Sequence, residues 1–449
     1  MKKSIVIFCI AFFCVANLPA QKIKYEPTFD KARLLSKQEK KPLAILITIA
    51  PPVYSPNFMA GLQDQKVIEK FNSSFINFKV DKSDTAVSAK IIKDYKLFRF
   101  PSFIFLDAKG GLMFTDIALL VRPEPLLSIA DRAMSASTEK SLIEYDSAYV
   151  AGNSGGTFLK DYILRREKAG IYSNASLIEK YVPGLKVSNL NSYDEVLFIL
   201  KAGPVIGGNA YRLARINKCL IDSIYKTEPL ADRIAMNNVL IKNTMDSAIV
   251  SKSEAMAYEA ASFAQLSWSK NYREASKARN FKMIQYYFAV KDTAKYLQQA
   301  TNFYDFHYLK LSGDSIRKLD SLNFIAAKKN AEETVSIGDN GSIKRTISFT
   351  STHTIDNYAT ELNNGAWNFY LLGGNKDEYL IKAMQWSRRS IELSPKAAFY
   401  DTYAHLLYRL RLYDESESMQ KKALELSATN KAEIKALQEE YNKIKQRNL

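Results

Sequence analysis

At 449 residues the chain is about three times the ~150 residues of a single domain, so two or three packed units are expected and one small fold is excluded. Hydrophobic residues make up 47% and aromatics 12%, with 17 Gly and 13 Pro, which excludes disordered and collagen-like chains and leaves ample material for cores. Lys plus Arg number 63 against 47 Asp plus Glu, and three His and three Cys leave metal and thiol chemistry short of ligands.

Met1 to Gln21 opens on Lys2 and Lys3, runs through an apolar stretch from Ile5 to Ala16, and ends on the small residue Ala20 before Gln21. That is the pattern of a secretory signal peptide over residues 1–20. The apolar run is shorter than the ~20 residues of a membrane-spanning helix, and no later charge-free stretch approaches that length. A periplasmic or secreted protein with no transmembrane segment is therefore expected. A lipid-modified cysteine needs a small residue before it, whereas Cys9 follows Phe8 and Cys14 follows Phe13. Cleavage leaves Cys219 alone, so no intrachain disulfide can form. Losing Lys2 and Lys3 lowers the formal net charge from +16 to +14, which favours an acidic partner, although the cations are spread as on any solvated surface.

From Tyr25 to about Met134 the apolar period switches repeatedly. Helices are predicted over Asp30 to Lys41, Asn57 to Phe71, Thr85 to Tyr95 and Glu124 to Ala133. Between them, Leu43 to Ala50, Phe75 to Val80, Ser102 to Leu106 and Leu112 to Thr115 read as strands. Solid apolar strands alternating with helices imply a sheet covered on both faces.

These residues resemble the thioredoxin family over about a quarter of the chain: LAILITIA from Leu43, VIEKFNSSFINFKVDKSD from Val67, Phe100-Pro101-Ser102, and FIFLDAKGG from Phe103. The resemblance implies a cis Pro101 facing the redox motif. That motif, Trp-Cys-x-x-Cys in the family, aligns with Ala50-Pro51-Pro52-Val53-Tyr54, where neither cysteine is present. Thiol exchange by the family mechanism is thus excluded. What the resemblance leaves is a groove of Tyr54, Phe58, Arg99 and Phe100 around Pro101, able to bond an extended peptide as an added strand. A domain kept only as a folded cap is the competing reading.

Beyond Ser135 strand signals nearly vanish. Thr157 to Lys168, Asp194 to Ala202, Asn209 to Lys226, Leu230 to Asn243, Lys252 to Phe263, Arg273 to Val290 and Thr293 to Leu311 are amphipathic helix candidates. Residues 336–351 (SIGDNGSIKRTISFTS) read as a loop or a small β excursion. An internal repeat follows, with an offset that pairs Trp367 with Tyr400, Tyr370 with Tyr403, Leu371 with Ala404, Ala383 with Ser416 and Ser390 with Ala423. It resembles the tetratricopeptide repeat, with Ser416 where Ala is usual and Gln420 where an aromatic or Leu is usual. The expected fold class is therefore an α/β thioredoxin-like N-terminal domain (22–136) followed by an all-α helical-repeat region: helices over 137–335, a loop at 336–351, and tetratricopeptide-like repeats over 352–449.

Other chemistry is sparse. Cys219 among Leu213, Ile216, Leu220 and Ile224 reads as an inert core residue. His307, His353 and His405 lie in separate segments without metal-ligand spacing, so neither metal nor cofactor is implied. Helical aromatics read as core, and export argues against nucleic acid. Asp followed by Ser or Thr and a small or apolar residue recurs at Asp84, Asp146, Asp222, Asp246, Asp292, Asp314 and Asp320. The triplet resembles a bacterial periplasmic O-glycosylation acceptor, but helix capping is the preferred account of most sites. Both modules suggest protein contact: a non-enzymatic, redox-inactive, chaperone-like adaptor with Tyr400, Tyr403 and Leu407 and the Pro101 loop as contact candidates. Arg409 and Arg411 near the repeat turn favour an acidic protein or peptide partner. The alternatives are an oxidoreductase-related enzyme with an atypical site, or a structural spacer.

Overall fold

The computed structural model describes residues 22–49, 58–97, 99–268, 271–329, 332–337, 343–348, 354–373, 376–427 and 431–449. The expected signal peptide, the segment Ala50 to Tyr54, and His353 lie outside them. The chain divides into two compact units, the first ending at Val239 and the second holding 240–449 with 205–207. The expected 136/137 junction falls inside the first.

The first unit begins with β1 (Tyr25–Glu26), α1 (Phe29–Glu39), β2 (Leu43–Thr48), α2 (Gln65–Ser74), β3 (Ile76–Asp81), α3 (Thr85–Asp94), β4 (Ser102–Leu106), β5 (Leu112–Ile117) and α4 (Pro123–Ser137). The strands form one mixed sheet in the order β1-β3-β2-β4-β5. In it β2 runs parallel to β3 and antiparallel to β4, and β4 runs antiparallel to β5. Every residue of β2 is buried because both faces are covered. Leu43, Ile45 and Ile47 pack with Ala32 of α1 and Ile91 of α3, while Ala44 and Leu46 pack with Phe71 of α2 and Ile129 of α4.

The helix expected from Asn57 starts later, at Gln65, because Asp64 caps it by accepting the N–H groups of Lys66 and Val67 at 2.9 and 3.2 Å. A 3-10 turn at Ala60–Gln63 precedes the cap. There Gly61 donates its N–H to the Leu120 carbonyl at 2.8 Å, and a Cβ would meet the Arg122 and Leu120 oxygens at 2.6 and 2.8 Å. Between β4 and β5, Asp107 Oδ1 accepts from the N–H groups of Lys109 and Gly111, and its Oδ2 accepts from the Ser141 hydroxyl at 2.5 Å. Ser141 and Glu144 form the capping box of α5 (Leu142–Val150), so the turn after β4 also fixes where the helical part begins.

Helices α6 (Gly156–Lys168), α7 (Ala175–Tyr181), α8 (Tyr193–Lys201), α9 (Asn209–Ala214) and α10 (Lys218–Thr227) follow. The single helix expected over 209–226 is two, because Asn217 caps α10 by accepting the Leu220 N–H at 3.1 Å. This break overturns the core reading of Cys219, which lies in the first turn of α10 and is exposed.

The division between units falls within α11 (Leu230–Ser251). The second unit continues with α12 (Glu254–Leu266), α13 (Tyr272–Ala289), α14 (Thr293–Tyr304), a π-helical turn at Asp305–Leu309, and α15 (Gly313–Lys329). An antiparallel pair, β6 (Glu332–Ile337) and β7 (Ile343–Ser348), comes next. The chain ends in α16 (Thr354–Leu372), α17 (Asp377–Leu393), α18 (Ala397–Arg409), α19 (Tyr413–Leu426) and α20 (Lys431–Lys445). Among the described residues the protein is thus a small N-terminal mixed sheet with helices followed by a helical region carrying one β pair. Among the described residues no helix is long and apolar enough to cross a membrane.

The core of the second unit is aromatic, with Tyr296, Phe303, Tyr304, Tyr308, Phe369 and Trp386 all buried. Capping explains fewer of the Asp-Ser/Thr triplets than expected. Asp292 caps α14 by accepting the Lys295 N–H, but Asp84 makes no side-chain cap bond. Asp146, Asp222, Asp246 and Asp320 lie inside α5, α10, α11 and α15, and Asp314 is in the first turn of α15. Asp320 serves a different helix, accepting the Thr354 and Ile355 N–H groups at the start of α16.

Candidate functional site

The Pro101 loop leads into β4, and its Phe100–Pro101 peptide bond is cis. Pro101 is buried, and its carbonyl accepts the Ala118 N–H at 2.9 Å just past the end of β5. The Arg99 carbonyl accepts the Ser102 hydroxyl, which closes the turn. Lys82 sits over the half-buried Phe100 ring at 4.7 Å.

Of the residues expected to form one groove, Tyr54 lies outside the described residues. Arg99, Phe100 and Pro101 are together by sequence. Phe58 is not with them: it packs against the α2 and α4 face of the sheet, whereas Phe100 packs against the α1 and α3 face. Strand alternation explains the separation, because clusters on opposite faces draw on alternate residues of β2 and β4.

What the sequence reading missed lies on the other side of Pro101. β5 extends to Ile117, and its alternation continues through Val121. Ala118 and Leu120 are 3% and 1% exposed, while Ile117, Leu119 and Val121 are 39%, 61% and 53% exposed. Ile117 and Leu119 line a shallow cavity of about 200 Å³ with Leu126, Ile129 and Arg132. Arg132 pairs with Asp116 and stands over the Phe114 ring at 4.9 Å, leaving a charged rim beside an apolar floor. In the sequence Ile117-Ala-Leu-Leu-Val121 is apolar throughout, so no alternation with polar residues marked which of them face outward.

In the second unit the repeat candidates divide. Leu407 is 4% exposed, so it serves the core and presents no contact surface. Tyr400 is half-buried against Ala397, Ala423 and Leu437, the last contributed by α20, and Tyr403 is half-buried. Arg409 and Arg411 are exposed, with Arg409 over the Tyr370 ring at 4.8 Å. The two departures from the repeat pattern have local reasons. Ser416 donates to the Ala404 carbonyl at 2.7 Å, and Gln420 donates to Asp401 Oδ1 at 2.7 Å. His405 is buried with Nδ1 2.8 Å from the Asp401 carbonyl and Nε2 3.4 Å from Glu440. Among the described residues no group of three or more His, Cys, Asp or Glu is placed to hold a metal ion.

No family model and no curated protein matches the chain. A solved structure titled DsbH Oxidoreductase overlaps 27% of this chain and 88% of its own, at 18% identity and a TM-score of 0.22.

Proposed function

We propose that the chain is an exported, redox-inactive protein of thioredoxin-like fold that binds a protein or peptide partner as an adaptor, with tetratricopeptide-type helix pairs in its second unit. The observation that carries this reading is the stripe Ile117, Leu119 and Val121, exposed at the end of the edge strand β5 and along the segment that follows it, beside the Pro101 loop. A contiguous apolar strip on a charged rim is costly to leave in water and suits an extended chain whose alternate side chains enter it. The thioredoxin-like reading is supported by the strand order and by the mixed pairing of β2. Redox inactivity is supported by the residues Ala50 to Tyr54, which offer no thiol for exchange.

The competing chemistry would have to use the exposed Cys219. Insulin-disulfide reduction by the mature chain should stay at background and be unchanged in Cys219→Ala. Reduction that depends on Cys219 overturns the redox-inactive reading. Export is checked by the mature N-terminus, which should be Gln21.

A further inference from the structure

The second unit contains a buried histidine that its helical packing does not use. α14 passes at Tyr304 into the π-helical turn Asp305–Leu309, and His307 lies at the centre of that turn. The wider turn shifts side chains out of the α-helical phase, a device found often at functional sites. His307 is 1% exposed, with the Phe303 and Phe306 rings 5.1 and 4.9 Å away. Neither ring nitrogen has a hydrogen-bond partner among the described residues, in contrast to His405. An apolar side chain would fill the same place without the penalty of an unpaired polar group.

His307 is one of the residues lining a cavity of about 450 Å³. Ser276 and Asn280 from α13, Gln299 and Asn302 from α14, and Lys310 beyond the π turn supply the remaining polar wall. Asp305 is the one carboxylate lining the cavity among the described residues, and it is already engaged. Its Oδ1 accepts from Trp386 Nε1 at 2.8 Å and its Oδ2 from Lys382 Nζ at 2.7 Å. What remains is a set of donors in a positive field. We propose that this cavity binds a small oxyanion, a carboxylate or phosphate group, with the His307 imidazole and the Lys310 ammonium as its principal donors.

Burial, with Lys277 and Arg273 adding to it, holds His307 down to about 4, so the ring is neutral near pH 7 with one donor and one acceptor nitrogen. The surrounding charged groups are Arg273, Glu274 and Lys277 on α13, Asp305 and Lys310 at the π turn, Glu361 on α16 and Lys382 on α17. An anion in the cavity would offset the Arg273 and Lys277 field and favour the imidazolium. By linkage, binding then tightens as pH falls.

The test is histidine side-chain NMR on the full mature chain, with the His307 signal assigned through His307→Phe. Inorganic phosphate and acetate are titrated separately, with glucose as the neutral control. Either anion should shift the His307 resonance saturably and raise its apparent pKa, leaving His405 unmoved, and the effective anion distinguishes phosphate from carboxylate. Lys310→Met should weaken that binding roughly tenfold, the loss expected for one charge-assisted hydrogen bond, while the His307 signal keeps its native position. The proposal is overturned if neither anion moves the resonance, if glucose moves it as much, or if Lys310→Met leaves the titration unchanged.

Discussion

Two residues of α6 show how burial decides what a charged side chain does. Arg165 is 5% exposed and donates to the carbonyls of Leu112, Met113 and Lys140 at 3.2, 3.3 and 3.2 Å, so it satisfies part of the open edge of β5. Arg165→Met removes the donor to those carbonyls, of which the Met113 bond is buried, and should lower the stability of the first unit by roughly 1–3 kcal/mol, read from its denaturant midpoint. Glu167 has no such partners. Its Oε1 is buried without a hydrogen bond, and burial raises its carboxyl to about 7, with Lys201 opposing the rise. The native state therefore holds this proton where the unfolded chain, near the ordinary 4.5, has released it. The associated stability is complete below about pH 4.5 and is lost as pH rises through about 7. Glu167→Gln should gain on the order of 2 kcal/mol over the natural chain near pH 8 and nothing near pH 4, measured by thermal denaturation at both values. His307 acts with the opposite sign: its folded value lies below the ordinary 6.5, so its contribution falls as pH drops from about 6.5 towards 4. None of these roles is written in the local sequence. Arg165 and Glu167 sit in a run of charges, Arg165-Arg-Glu-Lys168, that reads as a solvated helix face, and only tertiary packing buries Arg165 and half-buries Glu167.

At the scale of elements, the strands were legible where burial is two-sided. Ser102 to Leu106 reads as a solid apolar run and is β4 without adjustment. β1 was not legible, because its two residues are too few to show a period. The end of β5 was read at Thr115 because the charged Asp116 interrupts the apolar run, whereas the strand continues to Ile117. The offset of the internal repeat holds along the second helices, where Ala383, Ser416, Ser390 and Ala423 are all fully buried. Along the first helices it slips: Leu371 is 57% exposed while Ala404 is fully buried. Close packing at Gly365 accounts for some of this divergence, since α16 approaches the Tyr304 ring so nearly that a Cβ would meet it at 2.6 Å. Alanine in a helix gains about 1 kcal/mol over glycine, but the buried Tyr304 ring has little room to yield. Gly365→Ala should therefore destabilise the second unit by roughly 1–3 kcal/mol, as overpacking does elsewhere, and a raised midpoint would show that the ring can move.

For the whole molecule, the sequence made the order of the parts legible, a mixed sheet followed by helices, but not the bonds that hold the first helices to the sheet. The reason is physical. The Asp107 to Ser141 bond and the Arg165 contacts tie α5 and α6 to the sheet, and side-chain bonds across more than thirty residues leave no local trace. The candidate site was half legible for the same reason. Arg99, Phe100 and Pro101 are consecutive, whereas the exposed stripe comes to Pro101 only through the Ala118 N–H. A partner for that stripe should also respond to the basic balance of the chain, so its binding should weaken with salt as the Debye length shrinks from ~10 Å at 0.1 M. The direct measurement is capture by the mature chain from the envelope fraction of the cell that makes it, at low and at high salt, beside a Leu119→Glu variant. The account predicts a discrete acidic protein that is retained at low salt, reduced at high salt, and lost in the variant. Nothing retained at low salt, or retention indifferent to Leu119→Glu, would contradict it.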